Sequence, residues 1–336
     1  MKPVPADDNA IEKAVEILRQ GGLVAFPTET VYGLGANAAD PEAVKRIFKA
    51  KGRPADHPLI VHIADLNQMS DWALTIPEDA IRLTELFWPG PLALILNKKP
   101  EVPLEVTGGQ NTVALRIPDH PVALRLLQKF GGGIAAPSAN RFCRISPTQA
   151  AHVAEELGNS VDLILDGGAC QVGVESTIID FTDAKPSIIR PGRVSQKQLE
   201  TFLRTQLSPN RNVTIRAPGL MDVHYAPAAA ALLFQSNELT GMIRDIVKNN
   251  KKAGLLVYSQ KITRNDRLNV IYMPKNADAY AQVLYTSLRE LDRQQPDFIL
   301  VEQPPGDAAW SAVNDRLAKA TLIYSAATCR CQPADR

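Results

Sequence analysis

The stretch Leu23-Val24-Ala25-Phe26-Pro27-Thr28-Glu29-Thr30-Val31-Tyr32-Gly33-Leu34-Gly35-Ala36-Asn37-Ala38-Ala39-Asp40-Pro41 decides the fold of this chain. Its first four residues are an apolar run closed by Pro27, the pattern of a buried strand. Gly33 to Ala38 matches the loose G-x-G-x-x-G/A pattern of a dinucleotide-binding turn, and Asp56 lies about 20 residues on. The context argues against that reading. The strand ends near Phe26, and Pro27-Thr28-Glu29-Thr30 intervenes. The next helix opens at Asp40-Pro41, so no helix N-terminus meets a pyrophosphate at the glycines.

Working outward, Ile11, Ala14, Val15 and Leu18 share one face of a helix that Asp8 or Asn9 caps and Gly21-Gly22 stops. After Asp40, Pro41 opens a second helix, with Val44, Ile47 and Phe48 inward and an end near Lys51-Gly52. Further apolar runs read as strands at 59–63, 92–96, 112–117, 134–136, 163–165, 176–181 and 187–189. Helical patterns lie near 78–87, 121–130 and 147–157. Ser146-Pro147-Thr148-Gln149 reads as a capping box with Pro at the first helical position, and Ser195 to Gln198 has the same spacing. Many strands with few helices make a mixed α/β domain rather than a strict βαβ repeat.

Residues 207–230 carry no period and read as a linker or ordered loop. From there strands at 231–234, 254–258, 269–273 and 298–301 alternate with helices near 237–249, 278–293 and 307–320, as in a small parallel α/β domain. The division is 1–206, 207–230 and 231–336. A length of 336 residues suits two domains.

Lys plus Arg number 37 against 36 Asp plus Glu, so the net charge of +1 gives no support to a general polyanion-binding role. No apolar run reaches membrane-spanning length, and the first residues lack the apolar core of a secretory signal. Four cysteines make no disulfide framework, and the C-x-C of Cys329 and Cys331 has no second metal-binding pair. The expectation is a cytoplasmic protein with no membrane and no metal site.

The chemistry lies in the first domain. Lys49-Ala50-Lys51-Gly52-Arg53-Pro54 puts Lys51 and Arg53 on a stiff turn that could hold two phosphates; helix-dipole compensation is the bland alternative. Ala136-Pro137-Ser138-Ala139-Asn140 is a tight polar turn before the helix that Ser146 opens. Arg116 and Arg190 sit in otherwise apolar strands and need anionic partners if buried, from a ligand or from an internal salt bridge. His57, His62 and His152 share no metal spacing. Several cations, several hydroxyls and no evident nucleophile suit positioning and charge stabilisation around a nucleoside triphosphate that the substrate itself attacks.

Pro27-Thr28-Glu29-Thr30-Val31-Tyr32-Gly33-Leu34, Lys51-Gly52-Arg53-Pro54, Pro58-Leu59-Ile60-Val61-His62, Trp88-Pro89-Gly90-Pro91, Pro137-Ser138-Ala139-Asn140 and Glu175-Ser176-Thr177 occur in order. The set resembles the YrdC-like threonylcarbamoyl-AMP synthases. His224-Tyr225-Ala226-Pro227 and the C-terminal α/β domain resemble the long form of that family. The resemblance implies a twisted mixed-sheet α/β domain, an ordered linker acting as active-site lid, and a small Rossmann-like parallel domain. It implies a nucleotidyltransferase that condenses L-threonine, bicarbonate and ATP to threonylcarbamoyl-AMP and pyrophosphate. Magnesium would arrive with ATP and have no protein site of its own. The product would pass to the tRNA threonylcarbamoyl-transfer machinery for t6A modification.

By the same resemblance, Thr30, His62, Arg116, Ala136 and Ser176 hold threonine, with Arg116 as the fork for its carboxylate. Lys51, Arg53, His57, Thr112, Ser138, Asn140, Ser146 and Arg190 hold ATP, and Tyr225 closes over it. Lys51 and Arg53 stabilise the departing pyrophosphate and are the catalytic pair. Cys143 stands where the family usually has Gly, and would be strained if the position needs a positive φ. His57 stands where Asn is frequent. The competing readings are a double-stranded RNA or tRNA-binding module of the same fold with weak RNA affinity, a hydrogenase-maturation relative, and a nicotinamide enzyme built on Gly33-Leu34-Gly35.

Overall fold

The computed structural model describes residues 1–209, 216–219, 224–263 and 265–323. Cys329 and Cys331, and parts of the 207–230 segment, lie outside the described residues. The chain divides into two compact units. One comprises Met1–Phe142 with Ser146–Leu220, the other Cys143–Ile145 with Met221–Arg336.

In the first unit, the described strands are Val4–Pro5 (β1), Val24–Phe26 (β2), Gly33–Asn37 (β3), Ile60–His62 (β4), Leu92–Asn97 (β5), Thr112–Arg116 (β6), Ile134–Ala135 (β7), Leu163–Asp166 (β8), Thr177–Asp180 (β9), Ser187–Arg190 (β10) and Ser208–Pro209 (β11). They form one mixed sheet in the order β1-β8-β2-β3-β7-β4-β6-β5-β9-β10-β11. Strand β3 is an addition to the expected set. It runs antiparallel to β2, with Val24 opposite Gly35 and Phe26 opposite Gly33. The G-x-G motif is therefore a strand, and packing explains its second glycine. A Cβ at Gly35 would fall 2.8 Å from both Ile134 and the Phe26 ring.

Both faces of this sheet are covered. Residues alternate along β2: Val24 and Phe26 pack with Ile11, Val15, Leu18, Leu126 and Leu127, while Ala25 joins Val44, Ile47, Phe48, Leu94 and Leu115 on the opposite face. The helix Asp8–Arg19 (α1) supplies Ile11, Val15 and Leu18 of the first group from its single apolar stripe, and the helix Pro121–Phe130 supplies Leu126 and Leu127. The cap of α1 is Asp7, whose carboxylate accepts from Ala10 N, one residue before the expected Asp8. The helix Pro41–Lys51 (α2) is capped by Asp40 and ends at Gly52, whose φ of 63° is the left-handed conformation that glycine adopts without penalty.

The expected capping box at Ser146 is not formed. The helix starts at Ala150 behind Gln149, which makes no side-chain cap. Tertiary pairing overrides the local signal: Tyr32 N donates to Pro147 O and Cys170 N to Thr148 O, which hold residues 147–148 out of the helix. Ser195 does cap its helix with Gln198 as the spacing predicts.

In the second unit, Ala230–Phe234 (β12), Ala253–Val257 (β13), Leu268–Tyr272 (β14), Phe298–Glu302 (β15) and Leu322–Ile323 (β16) pair in parallel, in the order β14-β13-β15-β12-β16. Leu239, Met242 and Ile246 of one helix close the core over Leu232, Phe234, Leu255 and Leu300. Among the described residues no helix is long and apolar enough to cross a membrane.

Candidate functional site

The polar turn after β2 is built by one hydroxyl. Thr28 Oγ1 donates to Val31 O at 2.6 Å and accepts from the amides of Thr30 and Val31 at 3.2 Å. This arrangement holds Glu29 and Thr30 against the end of β6, where Arg116 lies. Arg116 Nη2 donates to Glu29 Oε1 at 2.6 Å and to Thr30 Oγ1 at 3.0 Å, and its Nε donates to Gly90 O at 3.1 Å. Glu29 Oε2 accepts from Asp119 N at 3.1 Å. Arg116 is 3% and Glu29 4% exposed, so both charges are desolvated and each is the other's compensation.

Of the two readings of Arg116, the internal salt bridge is formed, and it occupies Nε and Nη2 of the guanidinium. Glu29 stood in the quoted motif without a role. A charge-balance rule would have found it, because a cation inside an apolar strand needs a buried anion.

His62, on β4 beside β6 with its partner residue Arg116 directly opposite, is buried with its ring edge-on to Phe26. Burial first, and then the Arg116 charge, bring its pKa down to about 3, so the imidazole is neutral at physiological pH. Its Nδ1 is sealed with no hydrogen-bond partner among the described residues. Unfolding releases this restraint. Below the usual value of 6.5 the unfolded chain takes up a proton that the folded chain refuses, so the stability contribution is complete above that pH and declines toward about pH 3. Between pH 7 and pH 5 the wild type is therefore expected to lose about 2 kcal/mol more unfolding free energy than His62→Gln, as read by urea denaturation at both pH values. Parallel losses in the two proteins would refute a buried neutral His62.

A second cluster gathers around the end of α2. Lys51 Nζ donates to the carbonyls of Ser138 and Asn140, both at 2.5 Å, and its own carbonyl accepts from Phe142 N at 2.8 Å. Lys51 thereby clamps the turn after β7. That turn also pairs with β3, through Leu34 N to Pro137 O and Ala139 N to Tyr32 O, both 2.8 Å. Arg53 is buried, its Nη2 on Pro58 O at 3.1 Å and its guanidinium 5.9 Å from the Phe142 ring centre. His57 meets the same ring edge-on at 5.4 Å, and burial followed by the Arg53 charge lowers its pKa. Phe142, unassigned in the sequence reading, is the shared wall of the two.

A third cluster joins the strands β9 and β10. Ser146 Oγ donates to Glu175 Oε1 at 2.5 Å. Arg190 Nε donates to Ser176 O at 3.0 Å, Nη2 to Ser176 Oγ at 3.1 Å and Nη1 to Pro218 O at 2.9 Å. Residues 216–219 are held to the first unit by further bonds: Arg216 pairs with Asp56 at 2.8 Å and donates to Gly108 O at 2.7 Å. Ala136 N bonds Ile60 O at 3.0 Å beside His62. Thr112 lies at the start of β6 opposite Asn97, away from the Arg116 end of that strand.

Two expected residues or neighbours belong to the second unit. Tyr225 is buried there with φ 63°, stacked on Tyr285 at 5.8 Å, with the Arg316 guanidinium 5.3 Å from its ring centre. Cys143 has φ 60°, so it occupies the strained conformation that a glycine would take freely. Its carbonyl accepts from Ala226 N at 3.0 Å, which fixes the loop in that conformation.

The chain has known relatives. A family model described as telomere recombination, Sua5_yciO_yrdC, matches residues 16–192, and one described as threonylcarbamoyl-AMP synthase, C-terminal domain, matches residues 194–321. The threonylcarbamoyl-AMP synthase of Pyrococcus abyssi is 43% identical over 318 residues, covering 93% of this chain and 94% of that protein. The Bacillus subtilis protein of the same name is 40% identical over 324 residues, 94% and 93% of the two chains. A crystal structure of Pyrococcus abyssi Sua5 complexed with L-threonine superposes with a TM-score of 0.87 at 41% identity, covering 94% of this chain and 96% of that one. The chain therefore belongs to the Sua5/YciO/YrdC family of threonylcarbamoyl-AMP synthases.

Proposed function

We propose that this protein is a threonylcarbamoyl-AMP synthase acting on L-threonine, bicarbonate and ATP. The observation that carries the reading is identity of 40–43% with synthases over nearly the whole chain. The site's composition supports it.

The reaction balances without a protein nucleophile. Threonine's amine and bicarbonate give a carbamate and water. A carbamate oxygen attacks the α-phosphorus of ATP, the bond to the bridging oxygen breaks, and pyrophosphate leaves. Such a reaction asks the protein for alignment, charge compensation and exclusion of water. Arg116, Thr30, the neutral His62, Ala136 and Ser176 form the threonine side of the site. The neutral His62 adds polarity to that side without adding a charge. Lys51, Arg53, His57, Thr112, Ser138, Asn140, Ser146 and Arg190 form the ATP side. On nucleotide binding, Lys51 and Arg53 exchange backbone carbonyls for phosphate oxygens, and the charge on the leaving pyrophosphate is met by two cations on a stiff turn. Magnesium would arrive with ATP and would supply charge compensation on its phosphates. The carboxylates at hand, Glu29 and Glu175, are engaged with Arg116 and Ser146. The product passes to the tRNA t6A machinery in the cytoplasm.

Pyrophosphate release from ATP and bicarbonate is expected to depend on L-threonine and to respond more weakly to L-serine, which lacks the methyl group. Release indifferent to amino acid, together with tight salt-sensitive RNA binding, would replace this reading with an RNA-binding module.

A further inference from the structure

Phe142 carries no polar group into the site, yet it touches three of the residues placed on the ATP side. Its amide donates to Lys51 O at 2.8 Å, the Arg53 guanidinium carbon lies 5.9 Å from its ring centre, and the His57 ring meets it edge-on with centroids 5.4 Å apart. Lys51 in turn reaches across to the carbonyls of Ser138 and Asn140. The turn after α2 and the turn after β7 are thus laced together through Lys51, and they meet again through the Phe142 ring.

An aromatic face attracts a cation through its quadrupole, and most strongly where water is kept out. Arg53 is 7% exposed, which meets that condition. Its backbone is fixed by its own amide on Phe48 O at 3.0 Å, and its Nη2 donates to Pro58 O at 3.1 Å. That carbonyl has to be given up when a phosphate oxygen takes the donor. The ring does not, because it takes none of the five N–H donors of a guanidinium as a hydrogen bond. A contact that survives the exchange is the one able to steady the cation through it. His57 brings no competing charge to the ring at neutral pH, since burial, and then the Arg53 charge, lower its pKa. We propose that Phe142 is a positioning residue of the reaction: its ring holds the Arg53 guanidinium in place while the donors pass from Pro58 O to the phosphates. This rests on the synthase reading above and on the part Arg53 has in it. The ring acts through Arg53, so it sets the rate and leaves threonine affinity alone.

A double-mutant cycle on the full chain tests this, read by steady-state pyrophosphate release and by calorimetric titration with ATP. Phe142→Leu is expected to lower kcat about tenfold, the weight of one desolvated cation–π contact, with the threonine KM unchanged. Phe142→Tyr keeps the ring and is expected to keep most of the rate. In an Arg53→Ala background, Phe142→Leu is expected to change kcat by less than about twofold, because its partner is gone. A trifluorinated phenylalanine at position 142 preserves the shape of the ring and drains its negative face, so kcat is expected to fall while thermal unfolding stays put. The same loss in both backgrounds, wild-type kcat in a folded Phe142→Leu, or full activity with the fluorinated ring each overturns the proposal. Should Phe142→Leu not fold, the fluorinated ring decides alone. The wild type keeps the two readings apart. Threonine-dependent release with an additive cycle sinks only the role of Phe142. A wild type that binds ATP and releases no pyrophosphate sinks the synthase reading, and the same cycle is then read in ATP affinity. A wild type that binds no ATP refutes both.

Discussion

Arg116→Leu is expected to lower the unfolding free energy by about 3–5 kcal/mol and to abolish threonine-dependent pyrophosphate release. The magnitude follows from what remains. Glu29 is 4% exposed, and without the guanidinium its carboxylate is a buried charge that, among the described residues, keeps the Asp119 amide alone as a hydrogen-bond donor. The carbonyl of Gly90 and the hydroxyl of Thr30 lose their donors too. Breaking one half of a buried pair costs far more than removing the pair, since desolvation of the survivor is no longer offset. Adding Glu29→Gln to Arg116→Leu is therefore expected to recover most of the stability and none of the activity. Urea unfolding of the two proteins at pH 7 checks this. A loss below about 1 kcal/mol in Arg116→Leu would mean that water reaches Glu29 and that the pair is not sealed.

Arg53→Ala is expected to reduce kcat by a factor on the order of 10²–10³ while leaving the fold nearly intact. Arg53 Nη2 donates to Pro58 O and its guanidinium lies over the Phe142 ring; freeing that carbonyl costs about 1 kcal/mol, besides the lost packing. Its neighbour is a poorer probe. Lys51 holds the carbonyls of both Ser138 and Asn140, so a Lys51 substitution alters the turn as well as any phosphate contact. Thermal unfolding and steady-state pyrophosphate release on one preparation separate the two effects. Wild-type turnover in a folded Arg53→Ala protein removes Arg53 from the catalytic pair.

The Arg116 cluster and the Lys51–Arg53 turn were legible to different degrees. Lys51, Gly52 and Arg53 could be placed from local signals alone, because Asp40-Pro41 starts α2 and Gly52 ends it with a left-handed residue. The strained φ of Cys143 was also foreseeable, from a cysteine at a position usually held by glycine. The partner of Arg116 was not, because Glu29 lies 87 positions away and nothing in either segment's periodicity names the other. Ser146 misled for a related reason. Its capping signal is genuine locally, yet Glu175 takes its hydroxyl and the neighbouring carbonyls of Pro147 and Thr148 are claimed by Tyr32 and Cys170.

By itself, the sequence determined the alternation of elements, the amphipathic faces of α1 and α2, the parallel character of the C-terminal sheet and the family. These follow from caps, breakers and hydrophobic period, which act within about a dozen residues. Tertiary structure alone decided that Gly33–Asn37 is a strand, that Glu29 neutralises Arg116, that His62 is uncharged and that Tyr225 stacks on Tyr285. Each of these depends on burial and on partners distant in the chain. The energy of a desolvated charge or a sealed imidazole is set by what surrounds it, and only the folded chain supplies those surroundings.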